Sequence, residues 1–187
     1  MAPENRIKEL QALDMSKRNP RKAAVLALFY PNGQQETHLL CILRKKYAGV
    51  HSNQVGFPGG KVERTDTDLA HTALRETEEE VGVPQQDITL VRQLTQIYIP
   101  PSNFEVAPFV GLYKRPRPFV KQDAEVEMVL EIPVRHFLSD MNMVQEKLAT
   151  SYAQDIEVPA FKLNGYIIWG ATAMMMNEIK VLLNQVM

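Results

Sequence analysis

The chain has one cysteine, no long apolar run and almost no net charge, and each of these shortages excludes a class of protein. The single cysteine, Cys41, excludes an intramolecular disulfide, and the apolar residues around it favour a buried side chain over a nucleophile. No stretch approaches the roughly 20 apolar residues that a transmembrane helix needs. The net charge of −1 argues against a protein that coats nucleic acid. We therefore expect neither a membrane nor a nucleic acid as partner.

Length and the first residues set the next expectations. A chain of 187 residues, 45% of them hydrophobic, predicts a single globular domain over 1–187. The N-terminal residues lack the apolar core of a secretory signal, so a cytoplasmic location is expected. Residues 4–13 are predicted to form a short amphipathic helix ahead of the main fold. The sequence leaves the oligomeric state open.

Alternating strand and helix patterns indicate an α/β protein. The predicted strands are at 23–30, 37–43, 88–99, 105–114, 126–132, 144–150 and 158–163. The predicted helices are at about 66–81, 134–139 and 168–186, and 44–56 is predicted to be a loop. The first two strands flank a Pro-Asn-Gly turn, which predicts a hairpin. Helices on two faces of a mixed β-sheet would make an α/β/α sandwich.

An acidic cluster inside the first of these helices carries the most chemical information. Glu76, Glu79 and Glu80 stand at i, i+3 and i+4, so a helix places all three carboxylates on one face. A glycine loop at 57–60 precedes them and exposes backbone carbonyls, of which Gly60 is the expected ligand. Hard oxygen ligands of this kind suit Mg²⁺ or Mn²⁺. A solvated acidic helix face is the alternative interpretation.

The residues around the cluster agree with a functional helix. Arg75 lies beside the acids and can hold one carboxylate in a fork, which fixes its rotamer and balances charge. Gly82 suits a left-handed helix C-cap, and Pro84 prevents the helix from continuing. The glycine loop, the arginine and the closing glycine all stand at fixed sequence distances from the acids. We therefore favour the metal site over the solvated face.

Gly60–Val83 resembles the Nudix box. The pattern of that box is Gly, five residues, Glu, seven residues, then Arg-Glu-aliphatic-any-Glu-Glu-any-Gly-aliphatic. Two features depart from it: Thr77 stands at the aliphatic position, and Asp66 holds the early acidic place with eight residues before Arg75. The extra residue leaves the role of Asp66 open. The resemblance implies a Nudix-type α/β/α sandwich and a metal-dependent enzyme that hydrolyses nucleoside diphosphate derivatives.

The segment just before the box is similar to an extra signature of the coenzyme A diphosphatase branch. That signature runs Leu-Leu-Thr-any-Arg, then Arg-any-His-any-Gly-Gln-Val-any-Phe-Pro-Gly-Gly. Gly49 replaces its second arginine and Asn53 replaces a glycine. The resemblance implies cleavage of coenzyme A to 3′,5′-ADP and 4′-phosphopantetheine. The implied substrate-binding residues are Arg44, Gln54, Phe57 and Gly59.

The implied mechanism is attack of a metal-activated water on one phosphorus. Glu79 is one candidate for the base that takes the proton of that water, and Arg75 is expected to support the catalytic acids. Outside the box the candidate bases are Glu105, Glu125 and Glu127.

Two other functions stay open. ADP-ribose or another nucleotide sugar is the alternative substrate, because Gly49 and Asn53 break the coenzyme A signature. A Nudix-fold nucleotide sensor without turnover is less favoured, since such domains often lose the box glutamates that this chain keeps. In each case the expected partner is a small nucleotide.

Overall fold

The centre of the main sheet is a hairpin of two apolar strands. The computed structural model describes residues 18–46, 52–150 and 153–186, so the predicted helix at 4–13 and Gly49 lie outside the described residues. Strand β1 (Arg21–Pro31) pairs antiparallel with β2 (Thr37–Arg44), as predicted. The side chain of Asn32 closes the turn, because its Oδ1 accepts N–H bonds from Gln34 and Glu36, both at 2.8 Å.

Nine further strands, three α-helices and three short 3-10 helices complete the described fold. The strands are β3 (Val55–Gly56), β4 (Gly59–Lys61), β5 (Ile88–Gln93), β6 (Ile97–Ile99), β7 (Phe104–Tyr113), β8 (Val126–Pro133), β9 (Met143–Thr150), β10 (Ala153–Leu163) and β11 (Tyr166–Ile168). The helices are α1 (Leu69–Val81), α2 (Val134–Leu138) and α3 (Gly170–Asn184). No helix in the described part of the chain is both long and apolar enough to cross a membrane.

Eight strands form a mixed sheet in which β1 is the hub. One edge of β1 pairs in parallel with β7, and the other edge is divided between β2 and β4. Strand β5 and the short β6 extend the sheet beyond β7, while β3 and β8 pair with β2. Strands β11, β10 and β9 form a separate antiparallel sheet. The parallel β1–β7 pair brings together segments far apart in sequence.

The two faces of the main sheet bury two separate apolar cores. Ala24 and Leu26 of β1 point to the face covered by α1, whereas Ala27 and Phe29 point to the opposite face. The three-stranded sheet and α3 cover that second face, where Met176 is fully buried. This layering confirms the predicted α/β sandwich with a mixed sheet.

Helix α1 begins and ends through local signals. The Asp68 side chain accepts the His71 N–H at 2.7 Å and caps the first turn, so the helix starts slightly later than predicted. At the other end Gly82 adopts φ 72°, and its N–H donates to the Glu78 carbonyl at 2.9 Å. The predicted glycine cap is confirmed.

Several predicted element boundaries are wrong: β3 lies inside the loop predicted at 44–56, and β10 begins at Ala153 instead of 158. The strand predicted at 88–99 is two strands, because β7 presents Pro108, which has no N–H to continue the ladder. At the break Leu94 donates its N–H to the Pro108 carbonyl at 2.8 Å and its side chain enters the core, 5% exposed. The last helix starts at Gly170, because Ile168 instead pairs with Phe161 between β11 and β10.

Candidate active site

The acidic face of α1 lies directly over the glycine loop. Gly60 of β4 pairs with Ala24 of β1, and a Cβ at Gly60 would overlap the Glu76 carboxylate. A side chain at this position would require the Glu76 carboxylate to move, so glycine lets that carboxylate lie directly against the strand. The sheet thus fixes the height of the acidic face above the loop.

Gly59 turns its backbone toward the acids. It adopts φ +151°, and a Cβ there would overlap the Ala24 carbonyl. Its N–H donates to Glu80 Oε2 at 2.8 Å, and its carbonyl accepts from Arg44 Nη2 at 2.6 Å. Both backbone groups of Gly59 therefore face the acidic side chains.

The strand register changes the expected backbone ligand. Bonds from the Leu26 N–H to Pro58 and from the Val62 N–H to Lys22 flank Gly60 at 2.9 and 3.1 Å. Because the backbone groups along a strand alternate in direction, those of Gly60 point to β1. The predicted ligand Gly60 is corrected on this ground: the carbonyl facing the box acids belongs to the residue before it.

Glu80 is a buried carboxylate with few donors. The residue is 2% exposed, and burial raises the pKa of its carboxyl to about 7, against the lowering effect of Arg44 and of the Gly59 N–H. The charges of Glu76 and Glu125 raise that pKa further. The Arg44 guanidinium approaches Oε1 at 3.4 Å. A cation in this place would stabilise the charged form.

Asp66 has the opposite environment, because several donors surround its carboxylate. Its side chain is fully covered and accepts from Arg75 Nε at 2.8 Å and Nη2 at 3.1 Å. The Glu63 N–H at 2.8 Å and the Thr72 hydroxyl at 2.9 Å complete its donors. Hydrogen bonding to Arg75, as the largest effect, holds the Asp66 pKa well below its usual range. Asp66 is therefore the anchor of Arg75.

Arg75 distributes its remaining donors over the box acids. Nη2 donates to Glu76 Oε1 and Nη1 donates to Glu79 Oε2, both at 3.0 Å. Nη2 also donates to the Lys61 carbonyl at 3.1 Å. The side chain is 11% exposed and each of its three nitrogens has an acceptor, so Arg75 orients carboxylates. In this structure it is a positioning residue.

The residues fit a divalent cation, although their rotamers are held by arginines. Among residues 18–46, 52–150 and 153–186, no three acidic, histidine or cysteine side chains stand close enough to hold one ion. Arg75 holds Glu76 and Glu79, and Glu79 is 56% exposed and can rotate. The available donors are all hard oxygens beside a cradle that a Cβ would fill. This chemistry suits Mg²⁺ or Mn²⁺.

The downstream glutamates lie in different places. Glu105 lies on β7 opposite Lys22 of β1, on the sheet face that carries α1. Its carboxylate takes no part in the hydrogen bonds and ion pairs among the described residues. The charge of Glu125 acts on both Glu76 and Glu80. Glu127 pairs with Lys45 at 3.7 Å. The structure thus brings Glu125 to the acidic cluster.

Two predicted substrate residues have backbone or core roles here. Phe57 is 2% exposed and packs in the core on the α3 side, so its side chain fixes the loop and does not line a groove, which corrects its assignment. The backbone groups of Gly59 are taken up by Arg44 and Glu80. The Gln54 carbonyl accepts the Arg44 N–H at 3.0 Å, and its side chain is partly buried.

An acidic helix held over a glycine loop, on a mixed sheet covered on both faces, defines an enzyme site for phosphate chemistry. The family model described as the NUDIX domain matches residues 20–148. A protein of Yersinia pestis named as an uncharacterized Nudix hydrolase, NudL, is 33% identical over 166 residues, covering 85% of this chain and 78% of that protein. The chain belongs to the Nudix family.

Solved structures agree on the fold. A Nudix hydrolase from M. smegmatis, RenU, gives a TM-score of 0.61 at 11% identity, covering 90% of this chain and 88% of that one. A C. elegans Ap4A hydrolase in a binary complex gives 0.59 at 14% identity, covering 88% and 98%. The Nudix fold prediction is confirmed. As a Nudix hydrolase, the protein is a pyrophosphohydrolase that acts on nucleoside diphosphate derivatives, in a family that generally uses divalent cations.

Proposed function

We propose that this enzyme hydrolyses the diphosphate bond of coenzyme A or its derivatives to 3′,5′-ADP and 4′-phosphopantetheine. The proposed metal ligands are Glu76, Glu79, Glu80 and the Gly59 carbonyl, with Mg²⁺ or Mn²⁺ as the ion. The chain keeps the three helix glutamates of the box, Glu76, Glu79 and Glu80, and α1 places them over the glycine loop. The substrate assignment comes from the segment between β2 and β4.

The observation that supports coenzyme A as the substrate is the backbone conformation of Asn53. Asn53 stands where the coenzyme A signature has glycine, and it adopts φ 56°. Asparagine is among the few non-glycine residues that enter this left-handed region readily. The exchange therefore keeps the turn that a glycine would make, and it no longer counts against the signature.

The hairpin of β2 and β3 brings the signature to the acids. Leu43 pairs with Val55, and Arg44 binds the Gln54 carbonyl through its N–H while its side chain reaches Gly59. The signature residues thus end beside the box. A substrate arm lying along this hairpin would place its diphosphate at the glutamates.

The chain's own residues have defined parts in this reaction. Divalent ions, when bound, would neutralise the diphosphate oxygens and acidify a water. Arg75 orients Glu76 and Glu79 and is itself fixed by Asp66. For the proton of the attacking water we propose Glu79 or Glu125 as base, because Glu79 is exposed and Glu125 lies near the cluster. Glu105 stays a candidate on the same face of the sheet.

The test is turnover of coenzyme A beside ADP-ribose, with Mg²⁺, Mn²⁺ and a chelator, and with the products separated by chromatography. Metal-dependent release of 3′,5′-ADP from coenzyme A, at a higher kcat/KM than for ADP-ribose, is expected. A preference for ADP-ribose would keep the chemistry and replace the substrate. No turnover of any nucleotide in a wider panel would favour the sensor.

A pair of variants at Asn53 ties the substrate to the loop. Asn53→Gly should keep the wild-type kcat/KM for coenzyme A, because glycine also adopts a positive φ. Asn53→Val should lower it about tenfold, because a β-branched residue resists that conformation. Equal values for the two variants would remove this loop from the argument.

A further inference from the structure

Arg44 binds two of the oxygens that the proposed metal needs. Its Nη2 donates to the Gly59 carbonyl at 2.6 Å and stands 3.4 Å from Glu80 Oε1. The other Glu80 oxygen, Oε2, is taken by the Gly59 N–H. The guanidinium therefore sits on the oxygen of Glu80 that faces away from this backbone bond.

A guanidinium and a metal ion use the same oxygens in incompatible ways. Mg²⁺ binds its oxygen ligands at about 2.0–2.1 Å and tolerates little distortion of its octahedron. An Arg donor group on the same two oxygens would place a second positive charge within a few ångströms of the ion. One cation has to leave when the other arrives.

Arg44 is placed so that it can leave. Its side chain is 28% exposed and starts at the last residue of β2, where the chain leaves the sheet. Arg75 differs, because Asp66 anchors its guanidinium through two bonds. Of these two arginines, Arg44 is held at the acids mainly by candidate metal ligands.

We propose that Arg44 is a tethered cation that occupies the metal's place between Gly59 and Glu80 and is displaced when the metal binds. The inference rests on the metal site proposed above. It gives the arginine two successive tasks: it offsets part of the charge of the buried carboxylate while the metal is away, and after displacement it would stand beside the diphosphate as a hydrogen-bond donor.

Competition of this kind weakens apparent metal affinity. If Arg44 occupies the oxygens about nine-tenths of the time, the apparent Kd is about tenfold weaker than that of the open site. Removing the guanidinium should therefore tighten metal binding, although it removes a contact to the loop. A residue with only a structural role would have the opposite effect.

The experiment is calorimetric titration of the metal-free protein with Mn²⁺, without substrate. Arg44→Gln should bind Mn²⁺ about tenfold more tightly than wild type, and its KM for substrate should rise. Arg44→Lys keeps the charge but replaces the fork by a single ammonium, so an intermediate gain is expected. Lys45→Gln is the matched control, because Lys45 is the neighbouring cation and pairs with Glu127.

The outcomes separate this inference from the metal site. Equal shifts in Arg44→Gln and Lys45→Gln, or no gain in Arg44→Gln, would overturn the proposed competition. The metal site itself would still stand if Glu80→Gln loses Mn²⁺ binding. No Mn²⁺ binding by wild type would overturn both. A crystal structure of the Mn²⁺-bound wild type is the second check, which does not depend on how the variants fold. The Arg44 guanidinium should have left the Gly59 carbonyl, and a retained contact would overturn the proposal.

Discussion

Asp66 and Glu80 are two buried carboxylates of one enzyme, and the structure treats them oppositely. Each has an arginine neighbour. Asp66 receives donors from Arg75, Glu63 and Thr72, and its pKa lies well below the usual range. Glu80 receives one close backbone donor and a longer contact from Arg44, and its pKa is raised to about 7.

The difference shows that burial alone does not mark a functional acid. A buried carboxylate surrounded by donors is already stable as an anion and serves the scaffold. A buried carboxylate with few donors needs a cation that the chain supplies only in part. The number and length of donor contacts separates the two roles, and four experiments test that separation.

The largest effect is expected for Glu80→Gln. If Glu80 holds the metal, loss of its charge should lower metal-dependent turnover by about 10³-fold, which is about 4 kcal/mol of activation free energy. Folding, measured by thermal melting, should be kept. Glu78→Gln is the control, because Glu78 is on the same helix and accepts from Gln85 instead. Wild-type turnover in folded Glu80→Gln would remove the metal ligand assignment.

Asp66→Asn should act first on stability. The change breaks a covered, bidentate ion pair and leaves Arg75 short of its anchor, so a loss of about 3–5 kcal/mol in unfolding free energy is expected. Urea denaturation measures it. Asp87→Asn is the comparison, since Asp87 pairs with the exposed Arg117 and should cost below about 1 kcal/mol. Equal losses at the two positions would contradict the anchoring role.

The pH dependence of stability should have opposite signs for the two acids. The Glu80 pKa is raised from 4.5 to about 7 in the fold, so its stabilising contribution is present below about pH 4.5 and is lost as pH rises through 7. The contribution of Asp66, whose pKa is lowered, is present above pH 4 and is lost on acidification.

The unfolding free energy of metal-free wild type should therefore fall by about 2–3 kcal/mol, relative to that of Glu80→Gln, between about pH 4.5 and 7.5. Denaturation of both proteins across this range, in chelator, measures the difference. Saturating Mn²⁺ should reverse the loss in wild type only. Parallel pH curves for the two proteins would contradict a raised Glu80 pKa in the metal-free state.

The smallest effect is expected at Thr72. Its buried hydroxyl donates to Asp66, so Thr72→Val should cost about 1–2 kcal/mol of unfolding free energy. Thr77→Val is the matched change on the same helix, because the Thr77 hydroxyl bonds only the Ala73 carbonyl of its own helix at 2.7 Å. That variant should be nearly neutral. Urea denaturation that ranks Thr77→Val as the costlier change would contradict the donor-count argument.

The sequence predicted the features that depend on local chemistry. Gly82 at a left-handed C-cap and the i, i+3, i+4 spacing of the acids are set within one helix, so the pattern was sufficient. The split of the 88–99 strand was missed because its cause, Pro108, lies on the partner strand. Sequence periodicity holds no information about what a strand will pair with.

The site shows the same limit. The role of Asp66 depends on how the segment 61–67 brings its carboxylate to Arg75, although an extra residue separates the two in the sequence. The placement of Glu125 depends on a backbone bond from Gln122 to the Glu80 carbonyl at 3.0 Å. Neither contact has a sequence pattern, whereas the box glutamates do.

The division of one edge of β1 between β2 and β4 has a consequence for folding kinetics. Gly59 takes its position from Val25, and β1 in turn is completed by β7, whose paired residues lie about 80 positions further along the chain. Pairing over such a distance forms late. A peptide covering only 44–83 would contain all the residues of the motif but not β1, the strand that orients them. The rate at which high-affinity Mn²⁺ binding appears during refolding should therefore follow the closing of the whole sheet.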